Sequence, residues 1–204
     1  MEYHQPITIQ VHLINGTTRE FQQDNPEAIA AICNNLDGRV FTEANLIIAG
    51  KHEAIAFSGH ALIGVSILTD QIPNSIKLRE DLLKTVVTQI SKESYLDLRN
   101  NNVPKVTGIR SNILSEIVFL NGQQLFLEFS EIAIGGLGER AEMHHLFTNP
   151  SLACHRLGGG FSLWNTAQMA SWSHSPKLEA PDTAWNALEV LEPENITTKK
   201  YSLL

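Results

Sequence analysis

The sequence predicts an α+β fold, with a mainly antiparallel β-sheet of about eight strands and helices packed on one face. Three observations lead to this prediction. Asn15-Gly16 and Asn121-Gly122 each lie between two segments rich in β-forming residues, as the turn of a β-hairpin does. Between the two hairpins, the segment from Ile76 to Ile90 carries apolar residues at helical spacing, and we expect this amphipathic helix to lie on the sheet.

The composition is that of an ordinary globular protein. Of the 204 residues, 43% are hydrophobic and 18% are charged, which suits a single α+β domain spanning residues 1–204. If the chain were divided, the polar segment 99–104 would be the linker. No apolar run is long enough to span a bilayer, and the N-terminus does not resemble a secretory signal, so we expect a cytoplasmic protein.

The net charge argues against two classes of partner. The chain carries a net charge of −7, and its 15 basic residues are scattered along the sequence. Such a surface repels nucleic acid and anionic membranes, so we predict neither as a partner. Cys33 and Cys154 are the only cysteines, too few for the disulfide framework of a small secreted domain, and we expect reduced thiols.

The first hairpin is predicted at an edge of the sheet. Apolar and polar residues alternate from Ile7 to Leu13, whereas the return strand from Thr17 to Gln23 is largely polar. A two-residue turn at Asn15-Gly16 would place His12 opposite Arg19. An exposed strand edge of this kind is the surface through which a homodimer is expected.

A helix is predicted to begin at Asn25-Pro26, because Asn caps helices and Pro suits the first helical position. Apolar residues recur on one face of this helix, which places Cys33 in the core. They are Ile29, Ile32, Cys33 and Leu36. After Asp37-Gly38, short strands at 39–42, 46–49, 54–58 and 62–69 are expected to form a meander.

The second hairpin, with strands 115–120 and 123–129, is apolar on both faces and is therefore predicted to be central. Counted from a two-residue turn at Asn121-Gly122, Glu116 and Glu128 project to opposite faces. The two carboxylates would then be unable to flank a scissile bond. A change of apolar phase after Phe129 predicts a β-bulge near Ser130.

The richest concentration of chemical groups runs from Glu139 to Trp164. His144, His145, Cys154 and His155 are donors of the kind that zinc prefers. However, adjacent residues diverge by about 100° on a helix and lie on opposite faces of a strand, so neither pair can chelate one ion by itself. We therefore predict no bound metal and no cofactor, and keep a small metal-assisted hydrolase at these residues as the alternative function.

Two other kinds of site are disfavoured in the same region. Gly135-Gly136-Leu137-Gly138 follows a predicted strand, as a phosphate-binding loop would, but Glu139 and Glu142 in the next helical turn would repel phosphate. Cys154 lies beside His155 and Arg156, which favour a thiolate, yet neighbouring side chains diverge too far to form a nucleophile and its base. No catalytic residue is predicted.

Binding is the function that these patterns favour. Tryptophans with polar neighbours suit a ligand groove or an interface, although buried tryptophans most often fill a core. We therefore predict a non-enzymatic module that binds a small molecule or a protein partner through the loop-rich, aromatic region 139–172. The predicted ligand-binding residues are His145, His155, Arg156, Trp164 and Trp172.

Overall fold

A nine-stranded sheet dominates the computed structural model of the chain, which describes residues 6–42, 45–50, 52–70, 87–101, 113–129 and 149–175. The strands are β1 (Ile7–Leu13), β2 (Thr18–Gln23), β3 (Leu46–Ala49), β4 (Ala54–Phe57), β5 (Leu62–Leu68), β6 (Val87–Ile90), β7 (Ile113–Phe119), β8 (Gln124–Phe129), β9 (Ser151–Arg156), β10 (Phe161–Asn165) and β11 (Met169–Ser175). The α-helices of this part of the chain are α1 (Pro26–Asn35), α2 (Arg39–Thr42) and α3 (Lys92–Asn101), and 3₁₀ helices lie at Gly59–Ala61 and Thr166–Gln168.

The order of the strands confirms an α+β fold but corrects the predicted sheet. The large sheet runs β11-β7-β8-β6-β9-β10-β5-β1-β2, and β3 and β4 pair separately. β6 and β9 are parallel, whereas the other neighbours are antiparallel. The sheet is therefore mixed and has nine strands, not about eight antiparallel ones. The predicted meander is also wrong, because β3 and β4 do not join the sheet that contains β5.

Both predicted hairpins form, but their turns are one residue longer than predicted. Leu13 N–H donates to the Thr17 carbonyl at 2.9 Å, which leaves three residues in the loop. His12 consequently lies opposite Thr18, not Arg19. The same turn at Asn121-Gly122 brings Glu116 and Glu128 to one face of the sheet, so the prediction of opposite faces is wrong.

The first helix begins as predicted. The Asn25 side chain accepts hydrogen bonds from the N–H groups of Glu27 and Ala28 at 2.9 and 3.0 Å, and Pro26 occupies the first helical position. Cys33 is buried in the core, as expected. The segment 39–42, by contrast, forms α2 rather than a strand, because the Asp37 carboxylate accepts the Arg39 N–H at 2.9 Å and starts a helical turn.

The middle of the chain departs most from the prediction. Val87 to Ile90 is strand β6, so the predicted helix from Ile76 does not extend to Ile90. Residues 76–86 of that predicted helix lie outside the described residues, as do Ser130 and the glycine stretch 135–138. Arg99 to Asn101 belongs to α3, and residues 102–104 of the possible linker lie outside the described residues. None of the described helices combines the length and the hydrophobicity that a membrane span requires.

The described helices pack on one face of the sheet. α1 and α2 cover the side of β1 that carries Ile7, Ile9 and Val11, and Tyr95 of α3 packs on Ile90, Leu114 and Phe126 of the same face. The opposite face is concave. Phe119 of β7 and Trp164 of β10 have ring centroids 5.4 Å apart although three strands separate them in the sheet order, which requires strong curling. We call this the concave face.

Candidate ligand-binding site

A glycine turn joins β9 to β10 and fixes one end of the candidate site. Gly158, Gly159 and Gly160 all have φ between +90° and +101°, a conformation that favours glycine. The last two glycines also pack directly on backbone: a Cβ on Gly159 would collide with the Thr69 carbonyl oxygen, and one on Gly160 with that of Ile67. The turn is therefore held tightly against the end of β5.

A buried hydroxyl pair lies next to this turn on the concave face. Ser66 of β5 and Ser162 of β10 are directly opposite each other in the sheet, and their Oγ atoms are 2.8 Å apart. Both serines are completely buried. Buried hydroxyls need hydrogen-bond partners, and each serine here finds one in the other.

Arg156 reaches this pair from the last position of β9. Its Nη1 donates to Ser66 Oγ at 3.0 Å and more weakly to Ser162 Oγ at 3.4 Å. The guanidinium is half-buried, and burial lowers the pKa of Arg156 from its usual value. No carboxylate of the described residues forms an ion pair with it. The site thus contains a positioned cation whose charge is not neutralised by any of these residues.

His12 closes the network on the side of β1. Its Nε2 is 2.9 Å from Ser66 Oγ and its Nδ1 is 3.1 Å from Thr18 Oγ1. Desolvation, helped by the positive charge of Arg156, lowers the pKa of His12 to about 4, although Glu20 acts in the opposite sense. His12 is therefore a neutral imidazole at physiological pH.

The buried Trp164 side chain packs against this hydrogen-bond network. Its ring is stacked on His12, with centroids 5.0 Å apart, and is 1% exposed. The ring fits there because its cross-strand neighbour is Gly64, where a Cβ would collide with the indole. Trp164 thus fixes the position of His12 and, through Ser66, the position of the Arg156 guanidinium.

A cavity of about 550 Å³ opens beside Arg156. Its walls come from the start of β1, the end of β5 and the glycine turn. The lining residues are Pro6, Thr8, Leu68, Thr69, Asp70, Arg156, Leu157, Gly158 and Gly159. The volume lies in the range of about 300–1,000 Å³ that is typical of small-molecule sites.

The structure brings only some of the predicted ligand-binding residues together. Arg156 lines the cavity, and Trp164 lies behind it in the core. Trp172, half-buried in β11, packs on His174 at a ring distance of 5.3 Å. His155 projects to the helix-covered face, away from Arg156, because the two are adjacent on a strand. His145 lies outside the described residues.

The geometry around Cys154 bears on the alternative function. Cys154 faces the concave side and His155 the other, and burial raises the pKa of Cys154 to about 12, although Trp164 and Arg156 act to lower it. The thiol is therefore protonated at physiological pH. Within the described ranges, no three His, Cys, Asp or Glu side chains are grouped so as to hold a metal ion. His144 lies outside these ranges.

Sequence reasoning missed His12, Ser66, Ser162 and Asp70. A signal for the first two was present. Ser66 is a polar residue within the otherwise apolar strand from Leu62 to Leu68. His12 occupies a position where a surface residue is expected, on a strand whose other side is apolar. A polar residue within a buried run requires a partner, and such partners often belong to a site. What the sequence could not supply was the pairing of β5 with β10.

Comparisons with known proteins assign no function to this site. No family model matches the chain, and it has no match among curated proteins or solved structures.

Proposed function

We propose that the protein binds a small anionic molecule in the cavity beside Arg156. The observation that carries this proposal is the Arg156 guanidinium itself, which is half-buried and held by two serines, and which no described carboxylate neutralises. Removing a cation from water is costly unless an opposite charge compensates for it. A bound carboxylate or phosphate would provide that charge.

Preorganisation supports this proposal. Arginine is suited to planar anions because its guanidinium presents several N–H donors in a fixed geometry. In this site, only Nη1 donates to the serines. The network therefore orients the other N–H donors of the guanidinium without using them in hydrogen bonds. A ligand would therefore meet a cation that has already lost most of its side-chain freedom.

The proposal is a binding function, in line with the module expected at 139–172, and it relies on Arg156 among the predicted residues. Trp164 acts through His12 and Ser66 rather than by touching the ligand. The roles of His145, His155 and Trp172 stay predictions, as do the homodimer and the cytoplasmic location. Nothing in the described residues favours the metal-assisted hydrolase.

Isothermal titration calorimetry with acetate, 4-methylpentanoate and inorganic phosphate tests the proposal. We expect at least one of these anions to bind saturably, and Arg156→Gln to weaken its binding by about tenfold or more, because a charge-assisted hydrogen bond is lost. Arg19→Gln is the matched control, since Arg19 lies exposed on β2. If none of the three anions binds, or if both variants bind equally well, the proposal is wrong.

A further inference from the structure

A second charged residue lines the same cavity. Asp70 follows the end of β5, with an exposed side chain, while Arg156 stands at the end of β9. The cavity therefore presents a carboxylate and a guanidinium to the same ligand. Neither the sequence pattern nor the proposed anion site accounts for the carboxylate.

The two charges do not neutralise each other. Arg156 and Asp70 form no ion pair, and Asp70 has no hydrogen-bond partner among the residues the structure describes. The carboxylate and the guanidinium therefore line the same cavity without contacting each other directly.

Apolar surface accompanies these charges. Pro6, Leu68 and Leu157 are among the residues that line the cavity, and Leu157 is 64% exposed at the tip of the glycine turn. A ligand with an apolar group would remove this surface from water, which is favourable. A small, multiply charged anion such as phosphate would leave it uncovered and would be repelled by Asp70.

From these three features, and resting on the proposed anion site, we infer that the ligand is a small zwitterion with an apolar side chain. The chemical class is an apolar α-amino acid or a short apolar peptide. Its carboxylate binds the Arg156 guanidinium, its ammonium binds the Asp70 carboxylate, and its side chain packs on Leu68 and Leu157.

Calorimetry with matched probes tests the inference. L-Leucine carries both charges, 4-methylpentanoate lacks the ammonium, and 3-methylbutylamine lacks the carboxylate. Leucyl-leucine and N-(4-methylpentanoyl)leucine form a longer pair that differs only in the ammonium group, for a cavity larger than one amino acid. In at least one pair, we expect the zwitterion to bind about two- to fivefold more tightly than its desamino counterpart, because Asp70 is exposed and its ion pair is screened.

Two variants test whether Asp70 causes this preference for the zwitterion. Asp70→Asn should abolish it while the desamino acid still binds, and Asp24→Asn, an exposed acid outside the cavity, should preserve it. If the zwitterions bind no more tightly than the desamino acids, or if Asp70→Asn keeps the preference, the inference is wrong while the anion site stands. If neither the zwitterions nor the desamino acids bind, the inference is wrong, and the proposed function fails with it only when acetate and inorganic phosphate do not bind either.

Discussion

His12 Nε2 lies 2.9 Å from the Ser66 hydroxyl, and this hydrogen bond ties β1 to the buried centre of the concave face. The histidine is 8% exposed, lies on the Trp164 ring and shares Ser66 with the Arg156 guanidinium. Protonating His12 would place a second positive charge next to a half-buried first one. The contact therefore couples the stability of the fold to pH.

We expect stability to fall as the pH drops below about 6.5. The pKa of His12 is about 4 in the folded protein against 6.5 ordinarily, so between these values the unfolded chain binds more protons and acid favours unfolding. From pH 7 to pH 5 the loss attributable to His12 is about 2 kcal/mol. Urea unfolding at a series of pH values measures it, and His12→Gln should remove it.

His174 is a second histidine whose contribution to the acid sensitivity of the fold can be measured separately from that of His12. Its Nδ1 is 2.7 Å from Ser115 Oγ, and burial lowers its pKa to about 4 as well. His174→Gln should therefore remove a second, independent part of the acid sensitivity. His52→Gln serves as the control, since His52 is exposed and lies outside both contacts. A pH profile that is unchanged in His12→Gln would contradict the neutral state assigned to this histidine.

The glycine turn predicts a graded series of substitutions. Gly158→Ala places a side chain at a positive φ but in open space, so it should cost about 1 kcal/mol. Gly160→Ala adds a collision with the Ile67 carbonyl and should cost about 3 kcal/mol or more, with Gly159→Ala similar because of Thr69. The free energy of unfolding checks the order. Equal losses of stability at all three positions would show that the positive φ of the backbone, and not the contact with β5, determines the cost of each substitution.

The sequence correctly predicted those features of the fold that neighbouring residues determine. The Asn25 cap with Pro26 behind it, the core position of Cys33 and the two Asn-Gly hairpins all follow from neighbouring residues, and the structure confirms them. The number of residues in the hairpin turns could not be predicted from neighbouring residues. Asn-Gly suits both a two-residue loop and a three-residue loop that ends with glycine at positive φ, and one residue reverses the face of every side chain.

Long-range pairing explains the remaining errors. Val87 to Ile90 has apolar ends that fit either a helix or a strand, and the strand forms because β8 and β9 flank it. Arg156 was predicted as a ligand-binding residue on composition alone. Its partner Ser66 is 90 residues away in sequence, so the network that positions the guanidinium becomes visible only when β5 lies beside β10.

Both thiols are expected to be unreactive in the native protein. Cys33 and Cys154 are buried, and burial raises their pKa values to about 11 and about 12, which makes thiolate about a hundredfold scarcer or more than in an ordinary cysteine. Ellman's reagent should modify neither until the protein is unfolded in urea, when both react. Rapid labelling of Cys154 in native protein would instead restore it as a candidate nucleophile.

The serine pair should behave as one unit. Ser66→Ala removes the group that His12 and Arg156 share, so we expect a loss of about 1–3 kcal/mol, whereas Ser162→Ala should cost about 1 kcal/mol. The double variant should cost less than the sum, because the main partner of Ser162 is Ser66 itself.

Urea unfolding of the two single variants and the double variant measures this coupling. Ser173→Ala, at an exposed serine whose hydroxyl makes a long 3.5 Å hydrogen bond to the Glu116 carbonyl, should stay within about 0.5 kcal/mol. Strict additivity would mean that the hydrogen bond between Ser66 and Ser162 does not contribute to stability, and the two serines would then not act as one unit.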